Sequence, residues 1–291
     1  MTEAKKTPKQ LTIISGKGGT GKTTFTAAFA QLTEKKVMAD CDVDAADLHL
    51  ILKPDILKTT PFYGGRNPVV DLEACTKCGV CTELCRFGAI QDGMVDLFAC
   101  DHCALCAHAC PEYAIEMVEA HSGDWFVSET RFGPLVHARL GIAEENSGKL
   151  VTVVRKEAMN LAKEENREWI IIDGPPGIGC PVTASLAGVD KVLIVTEPTL
   201  SGIHDMERVL GLCTHFKIPA QVCVNKYDIH PANTRQIEAY CLEKGIEVVG
   251  KIPFHREVIE AMVAGQTVVE AGVPDVADAL RNVWERVVTN G

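Results

Sequence analysis

The sequence predicts an α/β fold, a mostly parallel, doubly wound sheet with a small α+β domain inserted into it. Short runs that are apolar throughout recur along the chain, as strands buried on both faces require. Amphipathic stretches separate them, which is the alternation of βαβ units. From about Pro61 to about Ser122 that alternation stops, and eight of the thirteen cysteines fall inside the gap. The expected division is therefore 1–60 with 123–291 as one discontinuous domain and 61–122 as the insertion. A chain of 291 residues that is 46% hydrophobic and only 5% aromatic can bury such a helix-covered sheet.

In chain order, Leu11–Ser15 reads as a buried strand and Lys22–Glu34 as the helix after it. Val37–Ala39 reads as a second strand. Beyond the insertion, Lys149–Lys163 has a helical pattern and Trp169–Ile172 that of a strand. Then come Lys191–Thr196 (strand), Asp205–His215 (helix), Ala220–Val224 (strand), Pro231–Lys244 (helix), Glu247–Ile252 (strand) and two further helices.

Between the first strand and the first helix lies Gly16-Lys17-Gly18-Gly19-Thr20-Gly21-Lys22-Thr23, which fits G-x-x-x-x-G-K-[ST] in the context that motif needs. The glycines let backbone N–H groups turn toward phosphate oxygens, and the helix N-terminus adds a favourable dipole. Lys22 is expected to neutralise the β- and γ-phosphates, the Thr23 hydroxyl to ligate Mg²⁺, and Thr24 to reach the α-phosphate. Acidic residues follow the second strand at Asp40, Asp42 and Asp44, with Asp47 beyond, and strand ends in such sheets face the ligand crevice. Asp40, Asp44 and Asp47 could equally be surface carboxylates. The apolar strand Ile170–Ile172 ends in Asp173, followed by Gly174-Pro-Pro-Gly177. Asp173 is expected to hold Mg²⁺ through water, on a loop able to sense the γ-phosphate.

The insertion contains a tandem repeat, Cys75–Ile90 matching Cys100–Ile115 at every cysteine. Both halves are spaced C-x₂-C-x₂-C-x₃-C, the run that holds two [4Fe–4S] clusters in bacterial ferredoxins, the fourth cysteine of each run serving the other cluster. One cluster would take Cys75, Cys78, Cys81 and Cys110, the other Cys100, Cys103, Cys106 and Cys85. Zinc is the alternative, although it favours paired C-x₂-C knuckles. Arg86 stands where that run usually has proline, and its charge would raise one cluster's potential. His102 and His108 lie between ligands, as tuning groups or as solvated side chains.

With its second lysine, Lys17, the loop resembles the deviant Walker A class of MinD, ParA and the nitrogenase iron protein. With the cysteine cassette, nearly the whole chain resembles MinD-superfamily ATPases containing an inserted ferredoxin domain. The resemblance implies that Lys17 crosses an ATP-dependent dimer, homomeric or with a related ATPase, to reach the partner's nucleotide; a contact within one chain is the alternative. It implies that Asp42 positions the attacking water. It also implies that Asn225, in Asn225-Lys-Tyr-Asp228, meets the adenine edge and that Pro253 closes over the base. Cys180, seven residues after Asp173, sits where the nitrogenase iron protein has a cluster ligand. The second ligand that such a cluster needs is absent between Pro111 and Pro175, which favours a structural or sensing role over that of a ligand. Arg131–Leu140 and Glu144–Val151 also look like that subgroup.

A net charge of −10 without a Lys/Arg run argues against nucleic acid. No apolar run is long enough for a membrane span, and the polar start MTEAKKTPKQ does not read as a secretory signal, so a cytoplasmic protein is expected. Two functions compete: an ATP-gated redox protein that passes electrons to a partner, and a metallocluster assembly or scaffold ATPase. A MinD-like positioning protein is a third, weakened because Val287–Gly291 does not form an amphipathic tail.

Overall fold

The computed structural model describes residues 7–141 and 147–289. The expectations placed on MTEAKK, on Glu144–Asn146 and on the last two residues lie outside them. The strands are β1 (Lys9–Ser15), β2 (Lys36–Asp40), β3 (Asp55–Val70), β4 (Ile90–Gln91), β5 (Met94–Val95), β6 (Ile115–Thr130), β7 (Gly133–Leu140), β8 (Trp169–Pro176), β9 (Lys191–Thr196), β10 (Ala220–Asn225) and β11 (Glu247–Ile252). The helices are α1 (Lys22–Leu32), α2 (Leu48–Leu52), α3 (Val80–Leu84), α4 (Leu105–Ala109), α5 (Ser147–Glu164), α6 (Cys180–Leu186), α7 (Leu200–His215), α8 (Pro231–Glu243), α9 (Arg256–Val263) and α10 (Val276–Thr289).

The chain forms two compact units. One takes in the chain up to Thr59, Trp125–Arg139 and Ser147 onward; the other takes in Thr60–Asp124 and a short stretch from Leu140. In the first unit the strands run in the order β11-β10-β9-β1-β8-β2-β7, and every pairing with recorded register among them is parallel. β6 and β3 complete the sheet at its edge. The central strands β8 and β9 are buried at nearly every position, which is why they read as unbroken apolar runs. Leu11, Ile13, Phe25, Phe29, Met38, Ile171, Leu193, Leu280 and Trp284 share one core cluster. Each large side chain there contributes about 1.5–3 kcal/mol of burial. Among the described residues no helix is long and apolar enough to cross a membrane.

The sequence reading missed β3, β6 and β7. β3 is exposed at most of its positions and contains Pro61, Gly64, Gly65 and Pro68, so it shows neither alternation nor an apolar run. The two expected domain boundaries, near 60 and 122, fall inside β3 and β6 rather than in linkers. Helix α7 starts at Leu200, five residues before the expected Asp205. The Thr199 side chain accepts a hydrogen bond from the Gly202 N–H and caps a turn that its Ser and Gly disguise as loop.

The second unit is built twice over. The helices α3 and α4 occupy equivalent places in the two repeats, and β4 and β5 form a small antiparallel pair. Left-handed backbone recurs at matched positions: Lys77 with His102, Gly79 with Ala104, and Gly88 with Tyr113. The Asp71 N–H donates to the Ala114 carbonyl and the Asp96 N–H to the Ala89 carbonyl, each at 2.8 Å. Each repeat thus closes on the other, a twofold exchange.

Candidate functional site

Gly19 and Gly21 have φ of 78° and 97°, which turns the loop back on itself ahead of α1. No side chain caps α1 and no acidic residue lies in its first turn. Its N-terminal N–H groups and dipole therefore face a site suited to an anion. Gly18 and Gly19 line the cavity there, and Thr20 is buried with its Oγ1 unpartnered. Lys22 is buried, its Nζ 3.7 Å from an Asp42 carboxylate oxygen. Thr23 lines the cavity, and Asp173 Oδ1 accepts the Thr26 hydroxyl at 3.1 Å. Thr24 also lines the cavity and donates its hydroxyl to Met262 Sδ on α9, at 2.9 Å.

Strands β2 and β8 bring Asp40 opposite Asp173 in register. Burial pushes the Asp173 carboxyl up to about 6, against the pull of Lys22 and hydrogen bonds from Thr23 and Thr26. Burial and the charge of Asp173 raise Asp40 well above the usual carboxylate range. The Asp40 Oδ1 accepts from the Asp42 N–H at 3.2 Å, while its Oδ2 is buried without a partner. Asp42 is raised too, by burial first, with Lys22 opposing. Three carboxyls that resist ionisation around one strand junction fit a site completed by a divalent cation. Among the described residues no three His, Cys, Asp or Glu side chains form a single-ion cage. Mg²⁺ needs no such cage, since it binds through one or two protein groups plus phosphates and water.

A cavity of about 450 Å³ opens from the loop, lined by Thr23, Asp42, Asp47, Asn225, Pro253, Phe254, Ile259 and Met262, among others. The Asn225 side chain donates from Nδ2 to the Thr20 carbonyl at 2.8 Å and accepts the Lys226 N–H on Oδ1 at 3.0 Å. Its amide is thus engaged with the loop as well as facing the cavity. Asp228 accepts the Phe254 N–H at 2.8 Å and so shapes the turn after Pro253. Lys17 lies against its own chain, 3.6 Å from Glu197 and 3.4 Å from the Ser201 hydroxyl. Glu197 and Met262 escaped the sequence reading because neither belongs to a recognisable motif, and Lys226 was read only as part of the Asn225–Asp228 segment.

In the second unit the cysteines gather in two cavities. One is lined by Cys75, Cys78, Cys81 and Cys110; the other by Cys85, Cys100, Cys103 and Cys106. Backbone N–H groups of Ala89, His102 and Ala114 donate to the sulfurs of Cys85, Cys100 and Cys110, at 3.3, 3.4 and 3.3 Å. Elsewhere Cys41, Cys213, Cys223 and Cys241 are buried, and burial pushes the Cys213 and Cys241 thiols up to about 11. Cys180 is exposed at the start of α6.

The parallel sheet and the glycine loop leading into α1 define a P-loop nucleotide-binding protein. The chain belongs to the CobQ/CobB/MinD/ParA nucleotide-binding domain family, whose model matches residues 11–268. It is an ATP-binding ATPase of that family. It is 34% identical to an uncharacterised protein of Methanocaldococcus jannaschii over 227 residues, 77% of this chain and 80% of that one. It is 26% identical to an iron-sulfur cluster carrier protein of Pyrococcus abyssi over 48% of this chain and 52% of that one. The fold matches the septum site-determining protein MinD of Pyrococcus horikoshii, solved with Mg-ADP, at a TM-score of 0.59 and 18% identity over 97% of both chains.

Proposed function

We propose that this ATPase carries two [4Fe–4S] clusters in a ferredoxin-like second unit and couples nucleotide-driven dimer closure to electron transfer through them. The observation that carries this reading is the sorting of eight cysteines into two cavities, each with three thiols from one repeat and the fourth from the other. A cluster takes one thiolate per iron, and crossed ligation follows from the twofold exchange of the repeats. A zinc ion instead favours paired C-x₂-C knuckles over this triplet-plus-one spacing. The N–H groups aimed at Cys85, Cys100 and Cys110 stabilise thiolate charge. Eight partly or fully exposed thiols suit a reducing, cytoplasmic setting.

On the nucleotide side, Thr23 and Asp173 would hold Mg²⁺, which when bound neutralises phosphate charge. Lys22 is drawn from Asp42 toward the β- and γ-phosphates, since a multiply charged phosphate is the stronger partner. Asp42, released from that pair, is free to orient the attacking water. Asn225 and Pro253 border the base, and Lys17 reaches the nucleotide of a second copy or of a related ATPase. The electron acceptor is a separate protein, and neither nucleic acid nor a membrane enters the reading.

A second reading, cluster assembly or delivery, is favoured by the relative named as an iron-sulfur cluster carrier. Anaerobic reconstitution of the full chain tests both. About eight irons per chain are expected, with clusters that cycle between dithionite and air and whose potential shifts with MgATP. Loss of the clusters to an added apo-protein would favour assembly. A chain that takes up zinc and no iron would sink both.

A further inference from the structure

We infer that Glu197 is a positioning residue for ATP hydrolysis, holding the Lys17 ammonium back from the nucleotide phosphates. Glu197 follows the end of β9, beside the end of β1 from which the loop springs. Its Oε2 stands 3.6 Å from Lys17 Nζ, while its Oε1 pairs with Lys226 Nζ. The carboxylate side chain is only 12% exposed and Lys17 34%, so solvent screens the pair only in part. The Ser201 hydroxyl is a second acceptor for Lys17.

Lys17 can contact a phosphate only by leaving Glu197, and two cations compete for that one carboxylate. When Lys17 departs, Lys226 remains, so no buried charge is stranded. Lys226 directly follows Asn225, at the cavity wall. A shift of that segment tightens or loosens the hold of Glu197 on Lys17, which ties the base end of the cavity to the lysine that serves the phosphates. The inference rests on the reading that Lys17 contacts a nucleotide phosphate.

The test is steady-state ATPase activity of the full chain at saturating MgATP. E197Q keeps the shape and frees Lys17, so kcat is expected to rise about fivefold with KM unchanged, the scale of a partly exposed ion pair. K226M leaves Glu197 to Lys17 alone and is expected to lower kcat. S201A removes the weaker hold and is expected to raise kcat less than E197Q; it also stands in should E197Q fold poorly. E197Q in a K17A background is expected to change nothing. A structural role for Glu197 predicts instead that E197Q and K226M both lower kcat, and that result overturns the inference. If K17A alone leaves kcat unchanged, the reading of Lys17 itself has failed. If K17A abolishes turnover while neither E197Q nor S201A raises it, only the role of Glu197 has failed.

Discussion

Asn225 donates from Nδ2 to the carbonyl oxygen of Thr20 at 2.8 Å, so the strand end that borders the base also braces the phosphate loop. Gly21 permits this approach. A Cβ at Gly21, whose φ is 97°, would lie 2.6 Å from Asn225 Nδ2. Asn225→Ala leaves the buried Thr20 carbonyl without this donor, at a cost of about 1–3 kcal/mol. ATP affinity is expected to fall about tenfold or more. Gly21→Ala is expected to fall further, because it displaces the amide and strains the turn. Titration with a fluorescent ATP analogue measures both; wild-type affinity in Asn225→Ala would show that the loop holds its shape without the tether.

His137 on β7 is buried against Phe126, with Ser128 Oγ 2.9 Å from its Nε2 and His49 stacked beyond. Burial and the neighbouring His49 push its pKa down to about 4. The unfolded chain binds this proton near pH 6.5, whereas the folded one refuses it until about pH 4. The stability contributed by a neutral His137 is therefore present above pH 6.5 and lost as pH falls toward 4. The loss is about 3 kcal/mol at most. Melting temperature measured across that window should drop in the wild type and be flatter in His137→Gln. A parallel slope in the two proteins would remove His137 as the cause.

Crossed ligation makes a prediction that sequence neighbourhood does not. Cys85 lies four residues from Cys81, yet it lines the cavity of Cys100, Cys103 and Cys106. Cys85→Ser should therefore perturb the same cluster as Cys106→Ser, and Cys110→Ser the same cluster as Cys81→Ser. Each variant should lose about four of eight irons. Electron paramagnetic resonance of the reduced variants should sort them into these two pairs. Pairing of Cys85→Ser with Cys81→Ser instead would break the scheme.

Arg131, in the turn between β6 and β7, makes a two-pronged pair with Glu270 at 2.9 and 2.8 Å. It also donates to the carbonyls of Ile51 at the end of α2 and Gly265 after α9. The side chain thus ties down two segments that flank the nucleotide cavity. Arg131→Ala should destabilise the fold by about 2 kcal/mol, since two carbonyls and a carboxylate lose a charged donor. Chemical denaturation reads that loss. Arg131→Lys should recover only part of it, because an ammonium cannot reproduce the fork.

The central sheet and the phosphate loop were legible because their signals are local. Unbroken apolar runs, a glycine motif between strand and helix, and cysteines at fixed spacing each occupy a short window. The strands β3 and β6 were not legible, since β3 is mostly exposed and broken by prolines and glycines, and β6 mixes buried and exposed positions without regular alternation. The placement of Asn225 and Pro253 at the cavity came from the resemblance, not from any local signal. The tether from Asn225 to Thr20 joins residues that only the sheet brings together.

The composition of the chain and its short motifs suffice for the class of fold, the phosphate loop and the identity of the eight paired-off cysteines, because each depends on residues adjacent in the chain. Three things were settled by folding alone. The parallel pairing of β2 with β8 sets Asp40 against Asp173, and burial in the closed sheet raises both carboxyls. The Asp71 and Asp96 N–H groups reach the Ala114 and Ala89 carbonyls of the opposite repeats, contacts that no spacing of cysteines announces. The neighbouring ends of β1 and β9 bring Lys17 to Glu197. In each case the energy lies in contacts between distant segments, where distance, burial and charge exist only once the sheet or the repeat has closed.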